Sequence, residues 1–109
     1  MDNNAVALRG RLAADAELRV FDSGRRLIRL LVVAQDDYPV RRVDVVPVTV
    51  WDPPDDLADH PAEMGRPISV CGSVRRRFWE IGDAEEITVE VVADKVVFPT
   101  AGPDPAPAR

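Results

Sequence analysis

The sequence ISVCGSVRRRFWE at residues 68–80 decides the fold, because it is long and regular enough to form one extended strand. In its second half two sets of side chains alternate: Val74, Arg76 and Phe78 against Arg75, Arg77 and Trp79. Successive side chains of a strand point to opposite faces, so the second set shares one face. Gly72 predicts a bend or bulge. We therefore expect a long bent strand with a cationic, aromatic face.

Four other segments have the apolar periodicity of strands. They are residues 6–12, 27–34, 43–51 and 87–98. In the third predicted strand, Val46, Val48 and Val50 form a core stripe, and Trp51 belongs to the opposite face. Pro47 in that strand must lie at an edge or a bulge, because it has no N–H to donate. Residues 15–23 have mixed polarity and end in the turn signal Ser23-Gly24, and the polar residues 35–42 are a hairpin loop.

Residues 52–64 are the helix candidate, with Asp52 or Asp55 as possible caps. Pro61 interrupts the segment, so we expect a short helix or an irregular turn that closes at Gly65. Five strands with one helix between the third and the fourth is the order of the OB-fold, a five-stranded Greek-key barrel. The sequence thus predicts an all-β OB-fold over residues 1–99, followed by a disordered, proline-rich tail over residues 100–109.

Composition narrows the range of functions. The 109 residues contain one cysteine and one histidine, which leave little material for a zinc site or a Cys/His catalytic pair. No apolar run approaches a membrane span and no signal peptide is visible, so we expect a cytoplasmic protein. The net charge of −5 is unusual for a nucleic-acid binder, although 13 of the 14 basic residues are arginine. Arginine suits phosphate, but a GC-rich genome produces the same bias.

The face formed by Arg75, Arg77 and Trp79 combines cations for phosphates with a flat ring for bases, as binding of single-stranded nucleic acid requires. A surface strand with solvated arginines and a partly buried tryptophan is the alternative.

Several motifs resemble the bacterial single-stranded DNA-binding protein family. They are Gly10-Arg11-Leu12 in the first strand, DAELR at residues 15–19, DVVPVTVW at 44–51, Gly65 and Gly72, RRRFW at 75–79, and EVVAD at 90–94. Together they keep register over residues 4–98. Members often end in an acidic, Phe-terminated tail that recruits enzymes, whereas this chain ends PDPAPAR and resembles a short form without that function.

The resemblance implies an OB-fold surface for single-stranded DNA, on which aromatics stack on bases and arginines contact phosphates. The stacking candidates are Trp51, Trp79 and Tyr38, and the phosphate candidates are Arg75, Arg77, Arg29 and Arg11. The alternatives are an ordinary solvated position for Arg11 and Arg29, a core position at the barrel rim for Trp51, and plain exposure on a loop for Tyr38. Val45 departs from the pattern, because it stands where the family usually has another aromatic. With cations also missing where the family commonly has them, we expect weaker, more salt-sensitive binding than in a typical member.

Three function classes remain. The first is sequence-independent binding of single-stranded DNA in replication, recombination or repair, in the cytoplasm at the nucleoid. The second is an OB-fold interaction module with weak or lost DNA binding. An enzyme is the least supported class, because no nucleophile–base pair, metal cluster or phosphate-binding glycine loop is visible. We predict no catalytic residues, metal, cofactor, small-molecule substrate or membrane partner. The resemblance implies a homotetramer or homodimer.

Overall fold

A computed structural model describes the backbone of residues 2–37, 39–81 and 84–99, and their side chains except those of 77–81 and 84–86. The described elements are β1 (Val6–Leu12), β2 (Glu17–Val20), β3 (Arg26–Asp36), β4 (Arg42–Trp51), α1 (Asp55–Asp59), β5 (Pro67–Ile81) and β6 (Ala84–Val97). Within this part of the chain, no helix has the length and apolar character that a membrane crossing needs.

Five of the strands close into a barrel in the order β1-β5-β6-β4-β3. Closure occurs where the end of β1 pairs with β3, at Arg11 opposite Val33 and Leu12 opposite Val32. β4 and β6 run parallel, with Val48 opposite Val91, and the other pairings are antiparallel. The helix lies between the third and fourth barrel strands. The predicted all-β OB-fold is confirmed.

Gly10 lets the barrel close tightly. A Cβ atom on this residue would overlap the backbone carbonyl oxygen of Val33, which cannot swing aside as a flexible side chain can. The absence of a side chain therefore allows β1 to approach β3 where the barrel closes.

The core fills the barrel with branched aliphatic side chains. Its buried members are Leu12, Ile28, Leu30, Val32, Val48, Val50, Ala62, Ile68, Val70 and Val91. Each fully buried valine, leucine or isoleucine contributes roughly 1.5–3 kcal/mol relative to an exposed one. The predicted stripe is present, because Val48 and Val50 are buried and Val46 packs against them. In the middle of β3 and β4 the core thus takes the even-numbered side chains of residues 28–32 and 46–50, and strand alternation points the odd-numbered ones to the other face.

Two irregularities lie where the sequence predicts them. The pairing of β5 with β6 shifts register between Cys71 and Gly72, which confirms the expected bend or bulge. Pro47 pairs with Leu31 of β3 on one side. On its other side it directly precedes the two residues of β4 that pair with β6, so it lies just outside that pairing.

Two expectations need correction. Residues 15–23 are more than a segment of mixed polarity, because they contain β2, which pairs with β3 from Glu17 opposite Arg29 onward. Neither Asp52 nor Asp55 caps the helix: α1 has Pro54 at its N-cap position without a side-chain hydrogen bond. The two carboxylates instead accept hydrogen bonds from arginines of the β2–β3 hairpin. The predicted tail at residues 100–109 and the turn at residues 82–83 lie outside the described residues.

Candidate nucleic-acid interface

The outward face is defined here as the barrel surface formed by the odd-numbered residues of β3 and β4 and by the residues paired with them. One row of side chains crosses this face over five strands. Arg75 of β5 lies opposite Glu90 of β6. The Glu90 carboxylate accepts a hydrogen bond from the hydroxyl of Thr49 in β4. Thr49 lies opposite Arg29 of β3, which lies opposite Glu17 of β2. The predicted phosphate candidates Arg75 and Arg29 therefore share one continuous surface.

The centre of this row is a buried polar pair. Glu90 is 8 % exposed and Thr49 is 1 % exposed, and the Thr49 hydroxyl donates to Glu90 Oε2 at 2.5 Å. A pocket of about 210 Å³ opens beside the pair and is lined in part by Arg29, Leu31 and Pro47. A carboxylate repels phosphate but accepts hydrogen bonds from base amino groups. The pocket therefore does not suit a phosphate.

A compact cluster forms one end of the outward face, and we call it the Trp51 end: Phe21, Arg25, Trp51 and Asp52. The half-buried Trp51 ring stacks with Phe21, with ring centroids 5.8 Å apart and an interplanar angle of 22°. The Arg25 guanidinium carbon lies 4.6 Å from the centroid of the Trp51 ring, which is cation–π geometry. The cluster therefore supplies an aromatic ring and a cation, the two groups that bind bases and phosphates of single-stranded nucleic acid, with the cation lying on the ring.

A bidentate ion pair with Asp52 holds Arg25 in this position. Its Nε donates to Asp52 Oδ1 at 3.2 Å and its Nη2 donates to Oδ2 at 2.8 Å. These hydrogen bonds lower the pKa of the Asp52 carboxyl and raise the pKa of the Arg25 guanidinium. Both side chains are more than half exposed, so solvent screens the pair. Arg25 is therefore ordered but easily released.

The backbone explains why these groups meet. In the β2–β3 hairpin, Gly24 has φ +89°, and the N–H of Phe21 donates to the carbonyl of Arg25 at 2.9 Å. Asp52 has φ +49°, in the left-handed region that aspartate and asparagine tolerate better than most residues. Its N–H donates to the carbonyl of Arg26 at 2.9 Å, so the chain turns next to the hairpin.

The opposite end of the outward face is aliphatic, and we call it the hairpin end: Leu31, Val33, Val43 and Val45. Val33 lies opposite Val45 across β3–β4, and Val43 lies opposite Gln35. Leu31, Val43 and Val45 are 43 %, 51 % and 54 % exposed. This end offers apolar contact without a ring or a charge of its own.

The structure places four of the predicted site residues on the outward surface. Arg29 and Arg75 are exposed in the row described above, and the Arg75 Nε donates to Ser73 Oγ at 3.2 Å. Arg11 lies opposite Val33, is exposed, and donates from Nη1 to the carbonyl of Gly65 at 3.4 Å. Trp51 lies at the end of β4.

Three predicted residues fall outside the description. Tyr38 is one, and the side chains of Arg77 and Trp79 are the others. The backbone of residues 77 and 79 continues β5 beyond Arg75, in register with Thr88 and Glu86 of β6. Their roles stay predictions.

The sequence interpretation missed Phe21, Arg25 and Asp52. β2 has only four residues, and although Leu18 and Val20 alternate with Glu17 and Arg19, so short a run was not recognised as a strand, and the hairpin that carries Phe21 and Arg25 was missed. The Ser23-Gly24 turn signal with an aromatic just before it and an arginine just after it was the available clue.

Comparisons with known proteins agree with this architecture. The chain matches the single-strand binding protein family over residues 3–99. It is 30 % identical over 100 residues to a single-stranded DNA-binding protein of Clostridium tetani (strain Massachusetts / E88), covering 87 % of this chain and 69 % of that protein. The structure of a Plasmodium falciparum SSB in complex with ssDNA superposes with a TM-score of 0.77 at 18 % identity, covering 92 % of this chain and 97 % of the other.

The structural likeness supports the fold, and the sequence match over nearly the whole described chain supports common descent. The chain belongs to the single-strand binding protein family.

Proposed function

We propose that this protein binds single-stranded DNA without sequence preference along its outward face. The observation that carries the proposal is the continuity of that face, which has exposed Arg75 and Arg29 in one row and the half-buried Trp51 at its end. In an OB-fold the central strands are where oligonucleotides bind. The family, the Clostridium tetani relative and the DNA-bound structural neighbour support the same ligand.

The chemistry is base stacking combined with phosphate contact. Trp51 and Trp79 provide the stacking rings, with Tyr38 as a third, and every base has a face that can stack on them. A stacked base adds about 1–3 kcal/mol, a value taken from proteins of this class. The arginines that would contact phosphates are Arg11, Arg29, Arg75 and Arg77. None of these contacts reads a base edge, so sequence preference should be small.

The charge of the face predicts modest affinity. The Glu90 carboxylate lies between Arg75 and Arg29 in the row, and Asp52 forms an ion pair with Arg25. With a net charge of −5, long-range attraction of DNA is weak as well. Because few phosphate contacts release few counterions, we now expect a shallow dependence of affinity on salt, in place of the greater salt sensitivity expected from the sequence.

The biological setting that follows is a non-enzymatic coat for exposed single strands during replication, recombination or repair. It would act at the nucleoid in the cytoplasm as a homotetramer or homodimer. Family membership supports this setting. Light scattering of the full chain tests the assembly, because a monomeric mass at working concentration would contradict it.

Fluorescence anisotropy of labelled oligonucleotides tests the proposed ligand. The full chain should bind oligo-dT and a mixed-sequence single strand of equal length with affinities within about tenfold of each other, and duplex DNA more weakly. Equal binding of duplex and single strand would point to charge alone. Absence of binding by folded protein at low salt would reject the proposal.

The hairpin end favours a second candidate, an OB-fold interaction module with weak or lost DNA binding. Val43 and Val45 are each about half exposed, and aliphatic side chains suit protein contacts better than bases. If this candidate is correct, R75A in the full chain should leave the affinity for single-stranded DNA unchanged. A clear loss of affinity supports the first candidate.

A further inference from the structure

We propose that Arg25 is a phosphate-binding residue of the outward face, and that Asp52 holds it over Trp51 until a DNA phosphate replaces the carboxylate. This inference rests on the proposed function and names a residue pair that the sequence interpretation did not include. Arg25 supplies the cation, Trp51 the stacking ring and Asp52 the internal competitor.

The hydrogen bonds show that Asp52 occupies Arg25 as a phosphate would. Two neighbouring donors, Nε and Nη2, point to the two carboxylate oxygens at 3.2 and 2.8 Å. A phosphate offers two oxygens to the same guanidinium fork. Asp52 and a phosphate are therefore mutually exclusive partners for this edge of Arg25.

The exchange is feasible because the pair lies at the surface. The side chains of Arg25 and Asp52 are 55 % and 60 % exposed, so water reaches both. Exposed ion pairs are weak and are screened by salt. A phosphate that approaches along the outward face can displace the carboxylate without breaking into the core.

The position of Arg25 connects phosphate binding to stacking. Its guanidinium lies 4.6 Å from the centroid of the Trp51 ring, so a base cannot occupy the same area of the ring. Arg25 must move aside before a base stacks there, and a phosphate gives it a new partner at the same time. Exposure of the Trp51 ring for stacking thus depends on whether a DNA phosphate has bound Arg25.

Backbone geometry fixes the competitor in place. Asp52 has φ +49°, and its N–H bonds the carbonyl of Arg26, so its carboxylate is held beside the hairpin. Asparagine tolerates this conformation and is isosteric with aspartate. The substitution Asp52→Asn therefore removes the charge and keeps the turn.

The chain offers a matched control in Arg42 and Asp44. Arg42 Nε lies 3.0 Å from Asp44 Oδ2, and the side chains are 75 % and 51 % exposed. Asp44 is an even-numbered residue of β4, opposite Ala34, and its alternation places it away from the outward face. D44N removes the same single negative charge, and none of the described aromatic rings lies beneath Arg42 as Trp51 lies beneath Arg25.

The experiment measures the affinity of the full chain for labelled oligo-dT across a salt series, for wild type, D52N, D44N and R25Q. We expect D52N to bind about threefold to fivefold more tightly than wild type at low salt, and D44N to differ less than twofold. R25Q should bind more weakly, and the slope of log affinity against log salt should fall by about one. The slope counts phosphates, so a purely structural role of Arg25 would not change it.

Thermal denaturation of each variant shows that the comparison is made on folded protein, and R25K serves as a second variant if R25Q unfolds. R25K keeps the charge but not the fork, so it should bind more weakly than wild type. Equal effects of D52N and D44N, or an unchanged salt slope in R25Q with wild-type affinity in R25K, would overturn the inference. Failure of wild type itself to bind oligo-dT would reject the proposed function instead.

Discussion

The Trp51 end and the hairpin end lie on the same two strands, yet they offer different chemistry. At the Trp51 end an aromatic ring is stacked on Phe21 and covered by an arginine. At the hairpin end Leu31, Val43 and Val45 are exposed aliphatic side chains. Both ends have the same alternation of inward and outward residues. The comparison shows that the barrel sets only which positions face outward, and that residue type decides what those positions can bind.

The two ends also differ in how charge is arranged. Arg25 at the Trp51 end is held by Asp52, whereas the aliphatic side chains at the hairpin end carry no charge. Among the described side chains, phosphate contact and stacking should therefore concentrate from Arg75 to Trp51, and the aliphatic residues Leu31, Val43 and Val45 should add little. The predictions below test this difference, in order of decreasing expected effect.

Gly10→Ala should destabilise the barrel, on which both ends depend. The added Cβ would overlap the carbonyl oxygen of Val33 at the barrel closure, so β1 and β3 must separate. We expect a loss of about 3 kcal/mol of unfolding free energy, at the upper end of overpacking effects. Urea denaturation of wild type and variant measures it. Gly10→Ala with an unchanged midpoint would mean that closure is looser than described.

Trp51→Ala should weaken binding at one end only. Loss of the ring removes a stacked base, which is worth about 1–3 kcal/mol in proteins of this class. The matched change at the other end, Val45→Ala, should alter affinity for oligo-dT less than about twofold, because an aliphatic side chain offers no stacking face. Anisotropy titrations compare the two variants. Similar losses from both would show that the ends do not differ.

Val45→Trp should make the hairpin end resemble the Trp51 end. Val45 is 54 % exposed and outward-facing, so the larger ring fits without entering the core. We expect oligo-dT to bind about fivefold more tightly, which corresponds to roughly 1 kcal/mol from a new stacked base. A titration of V45W against wild type at one salt concentration measures the gain. Unchanged affinity would mean that DNA does not reach this end.

The smallest expected effect concerns pH. Arg25 lowers the pKa of Asp52, so the pair stabilises the fold above the ordinary pKa of an aspartate. That stabilisation is lost as pH falls through the lowered native pKa. The midpoint of thermal unfolding of D52N should therefore lie slightly below that of wild type at pH 7, and the difference should vanish in acid. A difference that persists at pH 2 would contradict this assignment.

Much of the fold could be predicted from the sequence because apolar and polar residues alternate along most of the barrel strands. Val46, Val48 and Val50 alternate with outward residues, and that pattern alone indicates which face of β4 is buried. Gly72 marked the irregularity in β5 for a similar local reason, since a residue without a side chain is typical of bulges.

The Trp51 end could not be predicted in the same way. Arg25 and Asp52 are 27 residues apart, and they meet only because the β2–β3 hairpin folds over the end of β4. The alternation of β2 covers only four residues, which is too short to identify a strand with its partner, and the left-handed conformation of Asp52 has no sequence signature of its own. Contacts between a short hairpin and a strand end depend on tertiary geometry, so composition and alternation do not reveal them.

The most direct test of the central claim is a titration of the full chain with oligo-dT at low salt, followed by tryptophan emission beside the variant W51F. The binding account predicts saturable quenching in wild type, because a base stacks on Trp51, and weaker affinity with a smaller quench in W51F. Unchanged emission of correctly folded wild-type protein at saturating oligo-dT would contradict it.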